Sequence, residues 1–360
     1  MAEVTLKEAV ELLEFMSMEE PRLVTACLEG AAGLGKSSVG KQFAEKMGYP
    51  LVFVNTAAVL TEPGDILGLP IEKDGVTHYA PPFWVVECQK LAADPQIKKI
   101  VLMFDDFSRV PAQILQSMMS IFLDRKIGAA SLPEKVFLLL TGNPSKKKEY
   151  ATRALDRAQQ ERIQVINVRF DLECFLQYAN THDFNPEWMA YCAAYSENFM
   201  DDGKKGAAMS PRTAEFASQA LNAIKKKGYP LDHRIAKTRL DSIVGETIRE
   251  SFLVCLKHQQ DIISPDKILE GSYEDKSFNE MMKRPDLMYL TYTRLASELT
   301  KLSNNNKISQ LSIKNLRRFI MRVERDEMNF LFLNIIPQKA SKAILDGDTF
   351  TVMRNRLWGG

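Results

Sequence analysis

Apolar positions change their period near residue 170, and the change divides the chain. Before that point short apolar runs alternate with stretches of helical spacing; after it, helical spacing is nearly all there is. Residues 6–18 put Leu6, Val10, Leu13, Phe15 and Met16 toward one side and predict a helix. Residues 23–28 read as a short buried strand, 38–47 as a helix and 51–55 as a second strand. Strand, helix, strand at this pitch implies a parallel sheet, since the helix returns the chain to the edge where the next strand starts. From 61 to 84 the chain is rich in Gly and Pro, which predicts long loops with at most a short hairpin. A helix from about 83 to 92 leads into 99–104, apolar enough to be buried on both faces and closed by Asp105 and Asp106. Residues 112–123 predict another helix, 136–141 a fourth buried strand and 165–168 a fifth.

Past about residue 170 the amphipathic pattern predicts helices near 171–180, 186–199, 211–226, 236–258 and 285–303, separated by polar breaks such as 201–206. Residues 308–321 read as helical, while 330–336 fit a strand or a helix end equally well. The expected organisation is an α/β parallel-sheet domain over 1–168, a helical domain over 169–270 and a mostly helical C-terminal extension over 271–360.

Composition narrows the function classes. The 360 residues carry 47 basic and 46 acidic side chains, a balance that gives no global argument for nucleic acid or membrane binding. The first residues lack a basic region followed by an apolar one, and no apolar run approaches the roughly 18 residues of a membrane span, so a cytoplasmic location is expected. Five cysteines, Cys27, Cys88, Cys174, Cys192 and Cys255, are scattered without a C-x-x-C pair and are expected to be reduced, buried thiols. Four unclustered histidines give no metal-ligand spacing.

One stretch carries explicit chemistry. Gly30, Ala31, Ala32, Gly33, Leu34, Gly35, Lys36 and Ser37 fit G-x-x-x-x-G-K-[ST] between a predicted strand and a predicted helix. Glycines let successive backbone N–H groups turn inward around phosphates, Lys36 reaches the β and γ oxygens, and Ser37 offers its hydroxyl to Mg²⁺. With Ser38, these residues form the expected nucleotide-binding loop at the start of a helix, whose N-terminus adds a positive field. Asp105 and Asp106 end a buried strand, where a parallel sheet presents groups to a ligand. The first is placed to support the metal shell and the second to polarise the attacking water. Asn143, after the next strand, can orient the same water through its amide.

Taken in order, these motifs resemble the AAA+ ATPases, and their wording is close to the MoxR-like branch. The segments 104–109, 114–127 with Leu132 and Pro133, and 140–144 look like that family's metal-binding strand, pre-sensor hairpin and first sensor. Ser210, Pro211, Arg212 and Thr213 are similar to its second-sensor motif, and the likeness runs over roughly residues 20–270. The resemblance implies an AAA+ three-layer α/β core with a helical lid, binding of ATP and Mg²⁺, a metal site at Ser37 and Asp105, and a sensing role for Asn143. It implies that Arg212 reaches the nucleotide from the lid. A neighbouring subunit would supply an arginine to complete the site, with Arg162 first in rank, because it directly precedes an apolar strand, and Arg157 second.

The resemblance further implies a homo-oligomeric ring, expected as a hexamer, that remodels or assembles a protein client, with a von Willebrand factor A domain protein as a frequent companion. One departure bears on rate: the family usually has Glu where this chain has Asp106, and a side chain one methylene shorter predicts either slow hydrolysis or a route through a second water. Two other functions stay open, a nucleic-acid-directed motor using the same ATP site and a slow or non-hydrolysing nucleotide-gated scaffold. Segments 65–70 and 79–84 are candidates to touch a polypeptide, although Phe83 and Trp84 can equally seat the helix that follows. The runs at 146–148 and 225–227 read as solvated lysines.

Overall fold

Thr5 opens the first helix: its hydroxyl accepts from the backbone N–H of Glu8, whose carboxylate accepts in return from the N–H of Thr5. This reciprocal cap satisfies two donors that a helix start otherwise leaves unmade. A computed structural model describes residues 3–19, 25–128, 130–144, 157, 161–199, 208–257, 262–305 and 307–345. They fall into two compact units, Met1–Phe170 and Asp171–Gly360.

In the first unit the order is β1 (Glu3–Val4), α1 (Leu6–Met18), β2 (Thr25–Glu29), α2 (Lys36–Met47), β3 (Leu51–Asn55), α3 (Thr56–Val59), α4 (Pro63–Leu67), β4 (Leu69–Lys73), β5 (Val76–Ala80), α5 (Phe83–Ala92), β6 (Ile100–Asp105), α6 (Ala112–Asp124), β7 (Lys126–Ile127), β8 (Ala130–Ser131), β9 (Val136–Gly142) and β10 (Ile163–Val168). Six strands form one parallel sheet in the order β1-β10-β2-β9-β6-β3. Strand alternation divides β6 between two cores. Ile100, Leu102 and Phe104 pack with Trp84 and Val85 of α5 and Ile114 and Met118 of α6. Val101 and Met103 pack on the other face with Leu13 of α1 and Phe43 of α2. The result is a helix, sheet, helix sandwich with a parallel sheet hidden on both faces, as the apolar run at 99–104 predicts.

Helix α2 approaches the sheet closely because position 40 is glycine. A Cβ there would stand 2.6 Å from Met103 Sδ and 2.8 Å from Leu139 Cδ2. At the other edge, Arg125 caps α6 in a left-handed conformation, φ 57°, and donates to Thr25 Oγ1 at 2.7 Å and Phe122 O at 3.0 Å. Burial pulls its guanidinium down to about 10, still protonated at neutral pH.

The expected loops at 61–84 hold more structure than the Gly and Pro content suggests. Glu62 and Asp65 close a capping box around α4, and β4 and β5 pair as an antiparallel hairpin whose strands are exposed along nearly their whole length. The two-residue strand β1 carries too little pattern to be read from the sequence. It exists because β10 offers it a partner.

The second unit is helical: α7 (Leu172–Thr181), α8 (Pro186–Ala194), α9 (Pro211–Lys226), α10 (Arg234–Lys257), α11 (Pro265–Glu270), α12 (Asp275–Met282), α13 (Pro285–Asn304), α14 (Gln310–Arg322), α15 (Asp326–Ile335) and α16 (Gln338–Ile344). The ambiguous 330–336 is helix, fixed by Phe332 stacking on Tyr292 with ring centroids 4.6 Å apart. Helix α10 breaks at Gly245, φ 80°, where a continuous helix is expected from the spacing. Packing runs across position 270. Glu187 of α8 pairs with Arg294 of α13 at 3.1 Å, and Asn180 of α7 donates to Ile335 O at 2.8 Å. Helices 11, 12 and 16 are short and do not stand out by spacing alone. The polar break at 201–206 and the lysines 146–148 lie outside the described residues, while Lys225, Lys226 and Lys227 are exposed. Among the described residues no helix is long and apolar enough to cross a membrane.

Gly40→Val tests the close approach. We expect a loss of about 1–3 kcal/mol from overpacking against Met103 and Leu139, read as a lower denaturation midpoint of the full chain.

Candidate functional site

Three neighbouring parallel strands, β2, β9 and β6, end at one edge of the sheet and place the motifs side by side. The loop 30–35 leaves the end of β2, Asn143 follows β9, and Asp105 and Asp106 close β6. Because β9 lies in the middle, Asn143 stands between the loop and the acid pair. The loop is tied to β9 directly, with the N–H of Gly30 donating to Gly142 O at 3.3 Å. Gly35 at the N-cap of α2 has φ 103° and ψ 16°, a conformation that glycine alone adopts cheaply. Helix α2 starts at Lys36 with no acidic residue in its first turn, so its positive end faces the loop undiminished. Ser38 occupies that same turn.

Lys36 is 8% exposed, and its ammonium donates to Gly30 O at 2.9 Å, Ala31 O at 2.8 Å and Asn143 Oδ1 at 3.1 Å. The loop thus folds its own carbonyls around the cation that the motif assigns to phosphate. Ser37 Oγ donates to Asp105 Oδ1 at 2.6 Å, and Thr141 Oγ1 donates to the same oxygen at 2.5 Å. Thr141 Oγ1 in turn accepts from the N–H of Asp106 at 3.1 Å. The adjacent hydroxyl of Ser37 and carboxylate of Asp105 are hard oxygen donors of the kind that Mg²⁺ takes beside phosphate and water, so these residues fit the ion.

Asp106 sits just past the strand in a left-handed conformation, φ 56° and ψ 36°, tolerated by aspartate. Its Oδ1 accepts from Asn143 Nδ2 at 3.3 Å, and its Oδ2 is 3.2 Å from Nε of Arg109. The N–H of Asn143 donates to Ser108 Oγ at 2.8 Å. One amide side chain therefore connects the phosphate-seeking ammonium of Lys36 to the second carboxylate. Under the loop, burial pushes the Cys27 thiol up to about 12, helped by the nearby Glu29 carboxylate and opposed by Lys36. That thiol stays protonated and inert.

The fold brings together Gly30 to Ser37, Asp105, Asp106 and Asn143. It does not bring Arg157 or Arg162 to them. Arg162 precedes β10, whose first residue Ile163 pairs with Thr25 at the sheet edge opposite the phosphate loop. A six-residue strand puts about 20 Å between those edges. Arg157 is exposed and 3.2 Å from Glu161, and Arg212 is exposed in the first turn of α9, in the second unit. Three contributors are absent from the expectations: Thr141, which links both aspartates, Ser108 and Arg109. Thr141 had a visible signal, a hydroxyl at the end of an otherwise apolar strand. Among the client-contact candidates, Trp84 is fully buried edge-on to Phe104, ring centroids 5.2 Å apart, so it seats α5. Phe83, Tyr79 and Leu69 are 56%, 47% and 68% exposed.

Thr141→Val would leave the N–H of Asp106 and one Asp105 oxygen each short of a partner. The expected cost is about 1–3 kcal/mol of stability, with Thr141→Ser retaining most of it, measured by denaturation of the full chain.

A family model for the AAA domain of the dynein-related subfamily matches residues 25–167. No curated protein matches the chain. Similar solved structures include the RuvB Holliday junction branch migration motor of Thermotoga maritima, 14% identical with a TM-score of 0.39, covering 77% of this chain and 74% of that one. NtrX from Brucella abortus in complex with ATP is 12% identical with a TM-score of 0.42, covering 89% and 69%. Similarities of that size carry no argument about activity or partners. The phosphate loop, the acid pair and strands β2 to β9 lie within the segment that the family model covers, so residues 25–167 form a P-loop α/β domain similar to that AAA domain.

Proposed function

We propose that the chain is a Mg²⁺-dependent ATPase whose cycle remodels or assembles a protein partner, working as a ring of the MoxR-like kind. The observation that carries this reading is the connected set Lys36, Asn143, Asp106, with Ser37 and Asp105 beside it. When ATP enters, Lys36 exchanges the carbonyls of Gly30 and Ala31 for the β and γ oxygens, and the loop N–H groups take the remaining charge. Ser37 and Asp105 would hold Mg²⁺, which neutralises charge developing on the phosphates. Asp106 accepts a proton from water aligned with the γ-phosphorus, and the amide of Asn143 orients that water and registers loss of the phosphate.

The in-line displacement gathers charge on the phosphoryl oxygens, and a further cation stabilises it. Arg162 lies at the far edge of its own sheet, a position suited to serving the loop of a neighbouring copy. The exposed hairpin β4–β5, with Leu69, Ile71 and Tyr79, is the element we assign to client contact. A von Willebrand factor A domain protein is the companion that the motif resemblance suggests.

A second reading, a slow nucleotide-timed scaffold, is favoured by one observation. Asp106 is one methylene shorter than the family's usual Glu, and its carboxylate is already engaged by Arg109. Hydrolysis must first release it.

Turnover per subunit is expected to climb with protein concentration, with Lys36→Ala as the blank. Arg162→Ala should lower the assembled rate by about 10³-fold without changing assembly seen by light scattering. A rate that is flat with concentration counts against completion of the site between subunits. For the second reading, Arg109→Ala is expected to raise turnover several-fold by freeing Asp106; an unchanged rate would mean that the ion pair does not limit hydrolysis.

A further inference from the structure

Thr141 is buried at the end of β9, and its hydroxyl stands between the two aspartates that close β6. Oγ1 accepts from the N–H of Asp106 at 3.1 Å and donates to Oδ1 of Asp105 at 2.5 Å. A backbone N–H can only donate, so the direction of both bonds is fixed and the single hydroxyl proton is left for the carboxylate. Ser37 donates to the same Oδ1 at 2.6 Å. Among the described residues the other oxygen of Asp105, Oδ2, takes no hydrogen bond.

These bonds sort the oxygen atoms around the metal position. Ser37 gives its proton to Asp105 and keeps its lone pairs, while Asp105 is held by two protons at Oδ1 and keeps Oδ2. The oxygens left over are hard donors of the kind that Mg²⁺, or a water in its shell, takes. Without the Thr141 hydroxyl, Oδ1 would have one donor instead of two, and the carboxyl group would be freer to turn about its Cβ–Cγ bond. The main chain of Asp105 is held separately, because its carbonyl accepts from the hydroxyl of Thr56 at the start of α3. Thr141 therefore acts on the side chain of this residue.

At Asp106 the division is reversed. Its carboxylate is engaged by Asn143 and Arg109, and Thr141 holds its backbone. That backbone is left-handed, φ 56° and ψ 36°, a conformation that a residue with a side chain keeps where its surroundings impose it. One hydroxyl thus fixes the side chain of one aspartate and the main chain of the next. We propose that Thr141 is a positioning residue, setting the affinity for Mg²⁺ through Asp105 and the reach of the Asp106 carboxylate toward water through its backbone. The inference rests on the nucleotide site of the proposed function.

The test titrates the full chain with a fluorescent ADP analogue, first in EDTA and then with increasing Mg²⁺. Groups that orient metal ligands typically govern affinity by about tenfold to a hundredfold. In Thr141→Val the Mg²⁺ concentration that gives half of the effect on bound analogue is expected to rise by that factor, with affinity in EDTA unchanged and Thr141→Ser close to the parent chain. The unchanged affinity in EDTA also shows that the variant is folded; Thr141→Ala repeats the measurement should the Val variant unfold. In ATP turnover the expected loss is in kcat, with KM held. An unmoved Mg²⁺ midpoint, no recovery in Thr141→Ser, or loss of binding in EDTA by both the Val and the Ala variants overturns the proposal, the last because the hydroxyl would then serve folding alone. If the parent chain binds the analogue but turns over no ATP, the ATPase reading fails while the Mg²⁺ midpoint still decides this inference; if it binds no analogue, both fall.

Discussion

Hydrogen bonding of β9 to β2 on one side and to β6 on the other is the constraint on which the site depends. Each strand brings one piece of chemistry to the sheet edge: a phosphate loop, an amide and a pair of carboxylates. The pieces touch only because the strand that arrives last of the three is inserted between the other two. Thr141 and Asn143, two residues apart at the end of β9, then reach both aspartates, while Asn143 also reaches Lys36. A sheet buried on both faces holds this edge rigidly, since a one-residue slip of any strand would turn its apolar set to the wrong core.

The polar groups at that edge satisfy one another. Lys36 is enclosed by loop carbonyls and an amide, Asp105 by two hydroxyls, and the carboxylate of Asp106 by an amide and an arginine. In the proposed cycle nucleotide binding is an exchange: phosphate oxygens would replace carbonyls at Lys36, and water would replace Arg109 at Asp106. Both exchanges use groups already paired in the folded chain, so neither leaves a buried charge uncompensated.

The helical unit follows a different logic. Its contacts join α7 and α8 to α13 and α15, far apart in sequence, through a buried aromatic and polar set that includes Tyr292, Phe332 and Asn329.

How much was legible beforehand follows from the range of the forces involved. Helices α1, α5, α6 and α9, the edge strand β3, the buried strands β6 and β9, and the phosphate loop are local in origin, set by apolar period, caps and glycine conformation, and they read directly from the residues. Asp105, Asp106 and Asn143 were also visible, because strand ends announce themselves where an apolar run stops at polar side chains. Strand β1, helices α3, α4, α11, α12 and α16 and the break at Gly245 were not, because they are too short for a period or depend on a distant partner. The sequence by itself determined that the phosphate loop, Asp105, Asp106 and Asn143 stand at the ends of strands of a parallel sheet. Only the tertiary structure decided that Thr141 links the two aspartates, that Arg109 holds Asp106 and that Trp84 belongs to the core, because hydrogen bonds, charge pairs and packing act over a few ångströms in space whatever the separation along the chain.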